Sequence, residues 1–362
     1  MTDTALPTDQ VKERFAAHRR SFDARFEQYF RDLAETFAAP SPSRFTPECL
    51  DLLRDVSLRG GKRLRAAIVH EAARLVTPDP VPGLEEAALS IELLHTYGLV
   101  HDDIIDDGPV RRGGPSTYYA YREKFPDRPQ VALGLAVLAG DLALVLSVQA
   151  LLDSPVPVPV RQAMIGVHTA AASAMIVGQI TDIERDFTHI PSEQLLHAVS
   201  DHKSAHYSIL APLQLGLLAA GEEPALVDGE LRRYARLVGI YEQMRDDYLD
   251  LFGNPRTMGK PTGSDLRDGK RSYAVSALLA AVSGPERAMV ESALGDSSCS
   301  PQTVAAVREI ATSRGVEQKL RSDMRRYAEL ASAEAAGWRP RWREEAVTLF
   351  ERLPLWSVER VH

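Results

Sequence analysis

Residues Glu92 to Gly114 read ELLHTYGLVHDDIIDDGPVRRGG. An apolar helical run ends in a burst of aspartates, and two adjacent arginines follow. Asp102 and Asp106 are four apart, so on a helix they project from one face. Asp103 and Asp107 form a second such pair beside them. Carboxylates at that spacing repel, each pair costing a helix about 0.2–0.5 kcal/mol. Four of them at the end of an apolar helix predict a cation.

The second half of the chain repeats the device. Tyr241 to Leu251 reads YEQMRDDYLDL, with Asp246 and Asp250 on one helix face. Two such faces meeting across a bundle would make an all-oxygen site. Hard oxygen ligands without cysteine favour Mg²⁺. That ion usually takes one or two carboxylates and completes its shell with water and substrate phosphate. The pattern therefore points to a phosphate- or diphosphate-bearing substrate. Solvated acidic helix ends are the bland alternative. Finding two, each behind a long apolar helix and followed by basic loops, argues against it.

Bulk properties fit such an enzyme. The chain has 362 residues, 44% hydrophobic and 25% charged, with formal net charge −8. A sizeable core follows, and the acidity argues against nucleic acid as the main partner. Two cysteines, Cys49 and Cys299, give no disulfide framework and suit a reducing, cytoplasmic setting. The polar N-terminus shows no secretory signal. No stretch reads as transmembrane. The longest apolar run, Val131 to Leu152, carries Asp141 and Gln149 and is expected to be a buried helix.

In chain order, Gln10 to Ala38 carries one aromatic stripe at helical spacing, which predicts packing. We divide the chain into this N-terminal extension, residues 1–40, and a main domain, 41–362. Thr46 and Pro47 read as a cap and first-turn proline. Gly60-Gly61-Lys62-Arg63-Leu64-Arg65 brings cations to a helix start, where Lys62 and Arg65 can grip one anion. His95 lies two turns before Asp102. Glu92 and His95 form one Glu-x-x-His, but no second core helix supplies the partner that a di-iron bundle needs. Arg111 to Gly114 reads as a flexible basic loop. Gly178-Gln179 and Asp182 suggest a polar face on a long helix. Lys203-Ser204 sits in mid-helix, and Gln243 precedes the second aspartates by one turn. The loop from Gly253 to Gly269 holds Lys260, with Lys270 after it, and is long enough to be a lid. No stretch reads as a strand.

Together these motifs resemble those of the trans-isoprenyl diphosphate synthases, the polyprenyl synthetase family, over about residues 45 to 350. Gly61-Lys62-x-x-Arg65 is similar to that family's basic motif. Asp102-Asp103-Ile-Ile-Asp106 with Arg111-Arg112-Gly113 is similar to its first aspartate-rich motif. Gly178-Gln179-x-x-Asp182 and Lys203-Ser204 resemble its middle motifs. Gln243-x-x-Asp246-Asp247-Tyr-Leu-Asp250 and Gly259-Lys260-Pro261 resemble the second motif and its loop. Ser204 departs from the threonine of many relatives but keeps the hydroxyl.

The resemblance implies an all-α, single-domain helical bundle with a central cavity, and a homodimer. It implies about three Mg²⁺ held by Asp102, Asp106 and Asp246, with Asp250 in support. Arg111, Lys203, Ser204, Gln243, Lys260 and Lys270 would hold an allylic diphosphate. Lys62, Arg65, His95 and Arg112 would hold isopentenyl diphosphate. Catalysis would centre on Asp102, Asp106, Asp246, Lys203 and Arg111. Tyr97 and Gly98, five and four before Asp102, resemble the pattern of short-chain enzymes and predict a C20 product within a C15–C25 range. Two rivals predict different motifs. A class I terpene cyclase would carry an Asn/Asp–Ser/Thr–Glu triplet where Asp246-Asp247-x-x-Asp250 stands. A non-catalytic subunit of a heteromeric synthase would lack an aspartate motif or the Lys62/Arg65 cluster.

Overall fold

The computed structural model describes residues 8–38, 43–254 and 262–359. The N-terminal half contains α1 (Thr8–Ala38), α2 (Phe45–Leu58), α3 (Leu64–Val76) and α4 (Leu84–Ile105). Two-residue strands β1 (Val110–Arg111) and β2 (Gly114–Pro115) follow. Next come α5 (Thr117–Lys124), α6 (Pro129–Leu152), α7 (Val158–Arg185) and α8 (Glu193–Val199). A π-helical stretch, Ser200–Leu210, leads into α9 (Ala211–Ala219), a 3-10 turn (Pro224–Val227) and α10 (Asp228–Phe252). The chain closes with α11 (Ser264–Arg267), α12 (Tyr273–Ala281), α13 (Gly284–Ala293), α14 (Pro301–Ser313), α15 (Val316–Ala336) and α16 (Glu344–Glu359). The fold is all-α apart from the β1–β2 pair.

Two compact units divide the chain. One takes residues 6–172 and 211–226. Within it α4 packs on α6, α3 on α4 and α9, and α1 on α2. Gly216 is needed there, because a Cβ would lie 2.2 Å from the Val69 carbonyl of α3. The aromatic stripe of α1 does what its spacing predicts. Phe22, Phe26 and Phe30 enter a core with Leu53 and Val56 of α2, Leu93 and Val100 of α4, and Ala143 and Leu146 of α6. Burying each such ring stabilises the docked helix by about 2 kcal/mol. The start of α2 differs from expectation: the Ser43 hydroxyl, not Thr46, accepts from the Phe45 and Thr46 amides.

The other unit takes residues 173–210 and 227–362. Here α10 packs on the π-helical stretch and on α15, which also packs on α16. Tyr234, Trp338 and Phe350 form a buried aromatic cluster, with the Tyr234 hydroxyl donating to the Phe350 carbonyl at 2.9 Å. The π-helical stretch, which carries Lys203 and Ser204, joins α8 to α9. It lies between two glycines: a Cβ on Gly178 of α7 would meet the Lys203 amide nitrogen at 2.2 Å, and one on Gly239 of α10 would meet the Ala205 Cβ at 2.6 Å.

The expectation that Val131–Leu152 is buried holds on one face only. Val131, Leu138, Val145 and Leu152, seven apart, are 38%, 62%, 64% and 47% exposed. By length and composition alone α6 and α7 would reach across a bilayer.

Candidate active site

The first acidic motif closes α4 in the unit of residues 6–172 and 211–226. Asp102 is on the last helical turn, and Asp106 caps the helix, its amide donating to the Asp102 carbonyl at 2.8 Å. The expected second pair does not form. Asp107 turns off the helix into the left-handed region (φ 47°). Its carboxylate accepts from the Tyr119 hydroxyl at 3.1 Å and from Arg122 at 2.8 Å. Asp103 is buried and receives Arg111 through both Nε, at 3.0 Å, and Nη2. Burial pushes the Asp103 carboxyl up against the pull of Arg111.

The basic loops surround this helix end. Arg111 to Gly114 is a hairpin rather than a flexible loop: Val110 pairs with Pro115 and Arg111 with Gly114. Arg112 (φ 51°) and Gly113 (φ 79°) are both left-handed, as a type I′ turn requires. Arg59, which the sequence reading passed over, holds the hairpin by donating to the Arg111 and Pro115 carbonyls at 2.8 and 2.9 Å. Gly114 leaves room for that guanidinium, since a Cβ there would lie 2.0 Å from Arg59 Nη1. The tip of the hairpin turns back on the first basic motif. Arg112 donates to the Arg59 carbonyl at 3.1 Å and lies against Gly60 and Gly61. Its Nη2 is 3.4 Å from His95 Nε2, which serves as acceptor.

Lys62 is exposed and Arg65 half-buried on the first turn of α3. Burial, then the fields of Arg65, Arg112, Arg111 and Arg63, hold the His95 imidazole well below its ordinary pKa. It is therefore neutral at pH 7. Partial burial and Arg63 pull the Arg112 guanidinium down to about 10. The fields of four arginines thus reach one neutral imidazole, with Arg112 in contact with it, a setting that suits an anion.

The second acidic motif lies on α10, in the other unit. Asp246 is 67% exposed, and Arg245 Nη2 lies 3.4 Å from its carboxylate. Asp247 is buried and accepts from Gln243 Nε2 at 2.9 Å and from the Tyr273 amide at 2.7 Å. Burial raises its carboxyl to about 7. Asp250, expected to support a metal, is buried and also holds the chain at Ser264 and Asp265. It accepts from the Ser264 amide at 3.2 Å, the Ser264 hydroxyl and the Asp265 amide at 3.0 Å, so it caps α11.

The middle motifs are in the same unit. Lys203, in the π-helical stretch, donates to Asp182 at 2.7 Å, and Arg185 pairs with the same carboxylate. Despite burial, these two cations hold Asp182 below the usual carboxylate range. Gly178 does not line a polar face, since it sits against the Lys203 backbone. The Ser204 hydroxyl donates to Gln243 Oε1 at 3.5 Å. The Lys270 amide donates to the Asp265 carbonyl at 2.8 Å, and its charge reaches Asp182. Gly259, Lys260 and Pro261 lie outside the described residues.

The polyprenyl synthetase family model matches residues 46–311. This chain belongs to that family. It is 32% identical to farnesyl diphosphate synthase of Escherichia coli K12 over 244 residues, 66% of this chain and 77% of that one. It is 30% identical to geranylgeranyl diphosphate synthase of Sulfolobus acidocaldarius over 300 residues, 79% of this chain and 84% of that one. Its fold is similar to that of geranylgeranyl pyrophosphate synthase from Corynebacterium glutamicum, a structure complexed with isoprenyl diphosphate and magnesium. The TM-score is 0.86 and the identity 28%, covering 98% of this chain and all of that one.

In this family member Tyr97 and Gly98 are half-buried on α4, above the core that α1, α2 and α6 share. The Tyr97 ring lies 4.5 Å from that of His101, centre to centre. His101 is close to Gly140 of α6, where a Cβ would meet its ring at 2.3 Å. The tyrosine therefore has a packed neighbour one turn below Asp102.

Proposed function

We propose that this protein is a prenyltransferase that joins isopentenyl diphosphate head-to-tail to an allylic diphosphate, with Mg²⁺, giving a short all-trans prenyl diphosphate, C20. The observation that carries the reading is the Arg112 guanidinium 3.4 Å from His95, against Gly60 and Gly61 of the first basic motif and two turns along the helix from Asp102. Such a cluster suits a diphosphate that need not ionise. The aspartates Asp102, Asp106 and Asp246 suit a diphosphate that must.

The donor set fits magnesium. All three are carboxylates, and Asp246 presents its oxygens outward. Among the described residues no three His, Cys, Asp or Glu side chains converge as a ready cage. When bound, Mg²⁺ supplies positive charge for the departing diphosphate. Lys62, Arg65, His95 and Arg112 hold the isopentenyl diphosphate. Arg111, Lys203, Ser204, Gln243, Lys260 and Lys270 hold the allylic one. Asp103 and Asp182 aim two of these cations, so the charge they present costs little reorganisation. The allylic C–O bond breaks with its electron pair leaving on the diphosphate. The isopentenyl double bond then attacks the allylic carbon, and the released diphosphate takes the proton lost from the new chain.

Mixing the protein and Mg²⁺ with isopentenyl diphosphate and dimethylallyl, geranyl or farnesyl diphosphate, then sizing the products, tests the reading. A C20 prenyl diphosphate is expected. Release of a cyclic hydrocarbon from the allylic substrate alone would make the protein a cyclase. No turnover would make it a subunit of another enzyme.

The same reading includes a homodimer. The open stripe of Val131, Leu138, Val145 and Leu152 repeats every seven residues. That spacing suits a second helix, so a second copy of this chain is the occupant proposed.

A further inference from the structure

Three cations follow Gly61, and the middle one has a different fate from its neighbours. Arg63 is 3% exposed, while Lys62 beside it is open to water. Arg63 is also left-handed (φ 51°), two residues after the left-handed pair Gly60 and Gly61. A non-glycine residue keeps that conformation only where its surroundings over-determine it. Here they do. Arg63 Nε donates to Asp23 of α1 at 2.6 Å, and Nη2 donates to the Ser57 carbonyl of α2 at 2.6 Å. Nη1 donates to Glu92 of α4 at 3.3 Å. The guanidinium also lies over the Phe22 and Phe26 rings of α1, at 5.8 and 5.4 Å from their centres. Glu92 in turn accepts from the Ala66 amide at 3.3 Å, at the start of α3.

We propose that α1 is a positioning element for the isopentenyl diphosphate loop, acting through Asp23 on Arg63. The inference rests on the reading of Lys62 and Arg65 as that substrate's ligands. Arg63 is the peg on which the loop turns. With the peg fixed, the backbone presents Lys62 to solvent and starts α3 with Arg65 on its first turn. Of the groups that fix it, the shortest charged contact and both rings come from α1. Asp23 touches no substrate in this account; it acts through Arg63 alone. This gives the N-terminal aromatic helix a task in one half-reaction and none in the other.

The test is steady-state kinetics of the full-length chain, varying each substrate with the other saturating. Asp23→Asn keeps the volume and leaves Glu92 to neutralise Arg63, so the protein is expected to fold. Its KM for isopentenyl diphosphate should rise about tenfold, with the allylic KM and kcat within about twofold. Asp23→Glu, which keeps the charge, should fall between wild type and Asp23→Asn. Arg14→Gln is the control, since Arg14 ties α1 to Glu71 of α3 well away from the loop. It should lower the melting temperature and leave both KM values in place. An unchanged isopentenyl KM in Asp23→Asn, an equal rise in both KM values, or the same rise in Arg14→Gln would overturn the inference while the condensation reading stands. A wild-type protein that incorporates no isopentenyl diphosphate would remove both.

Discussion

At the scale of single residues, the chemistry depends on which charges are already engaged. Asp246 offers its carboxylate outward, whereas Asp250 on the same face accepts three donors from Ser264 and Asp265. Asp246→Asn should therefore lower kcat by about two orders of magnitude or more while leaving the fold intact. Asp250→Asn should cost stability as well as rate, because it disturbs the cap of α11. Circular dichroism melting beside kinetics separates the two. A second residue-scale expectation concerns His168, fully buried between Ser147 at 2.9 Å and Ser90 at 3.4 Å. Burial lowers its pKa to about 4. An unfolded histidine titrates near 6.5, so the unfolded chain takes up the proton first. The contribution is full above that pH and is lost as pH falls toward 4, by up to about 3 kcal/mol. Denaturant unfolding at pH 7.5 and 4.5 should show this loss, and His168→Gln should flatten it. An unchanged pH slope in the variant would show that His168 does not titrate with unfolding.

At the scale of elements, spacing was informative where a side chain's role follows from its helix face. The stripe on α1, the apolar run of α4 and the positions of Asp102 and Asp246 were all legible in this way. Spacing could not separate Lys62, Arg63 and Arg65, because burial of the middle cation depends on Asp23 and Glu92, 40 and 29 residues away. It also placed Asp107 on the helix, although the helix ends at Ile105 and the chain turns left-handed there. The hairpin after it depends on Arg59, which carries no motif. Gly178 looked polar-facing, yet its reason is close backbone approach. Gly178→Ala should cost about 1–3 kcal/mol by overpacking and should shift Lys203 with it. Reduced kcat with an unchanged isopentenyl KM is the expected signature. Full activity with an unchanged melting temperature would show that the contact relaxes freely. On α4, Tyr97→Ala removes a ring one turn below Asp102 and should lengthen the product, as read by chromatography. An unchanged chain length would move the stop elsewhere.

At the scale of the whole molecule, the chain carries a formal net charge of −8 yet brings the fields of Arg63, Arg65, Arg111 and Arg112 to bear on His95, where the proposed isopentenyl diphosphate would be held. The apolar face of α6 is where the proposed dimer would form. Leu138→Glu with Val145→Glu should convert a dimer to a monomer in sedimentation, and retention of the dimer would place the contact on another surface.

The central proposal is that turnover needs both the Asp102 and the Asp246 motif. Its most direct test is the turnover of Asp102→Asn, Asp246→Asn and the double variant at saturating substrates and Mg²⁺. If the claim holds, each single change lowers kcat by about two orders of magnitude or more, and the double variant falls little below the worse single one. Losses that multiply fully, or near-normal turnover in either single variant, would contradict it.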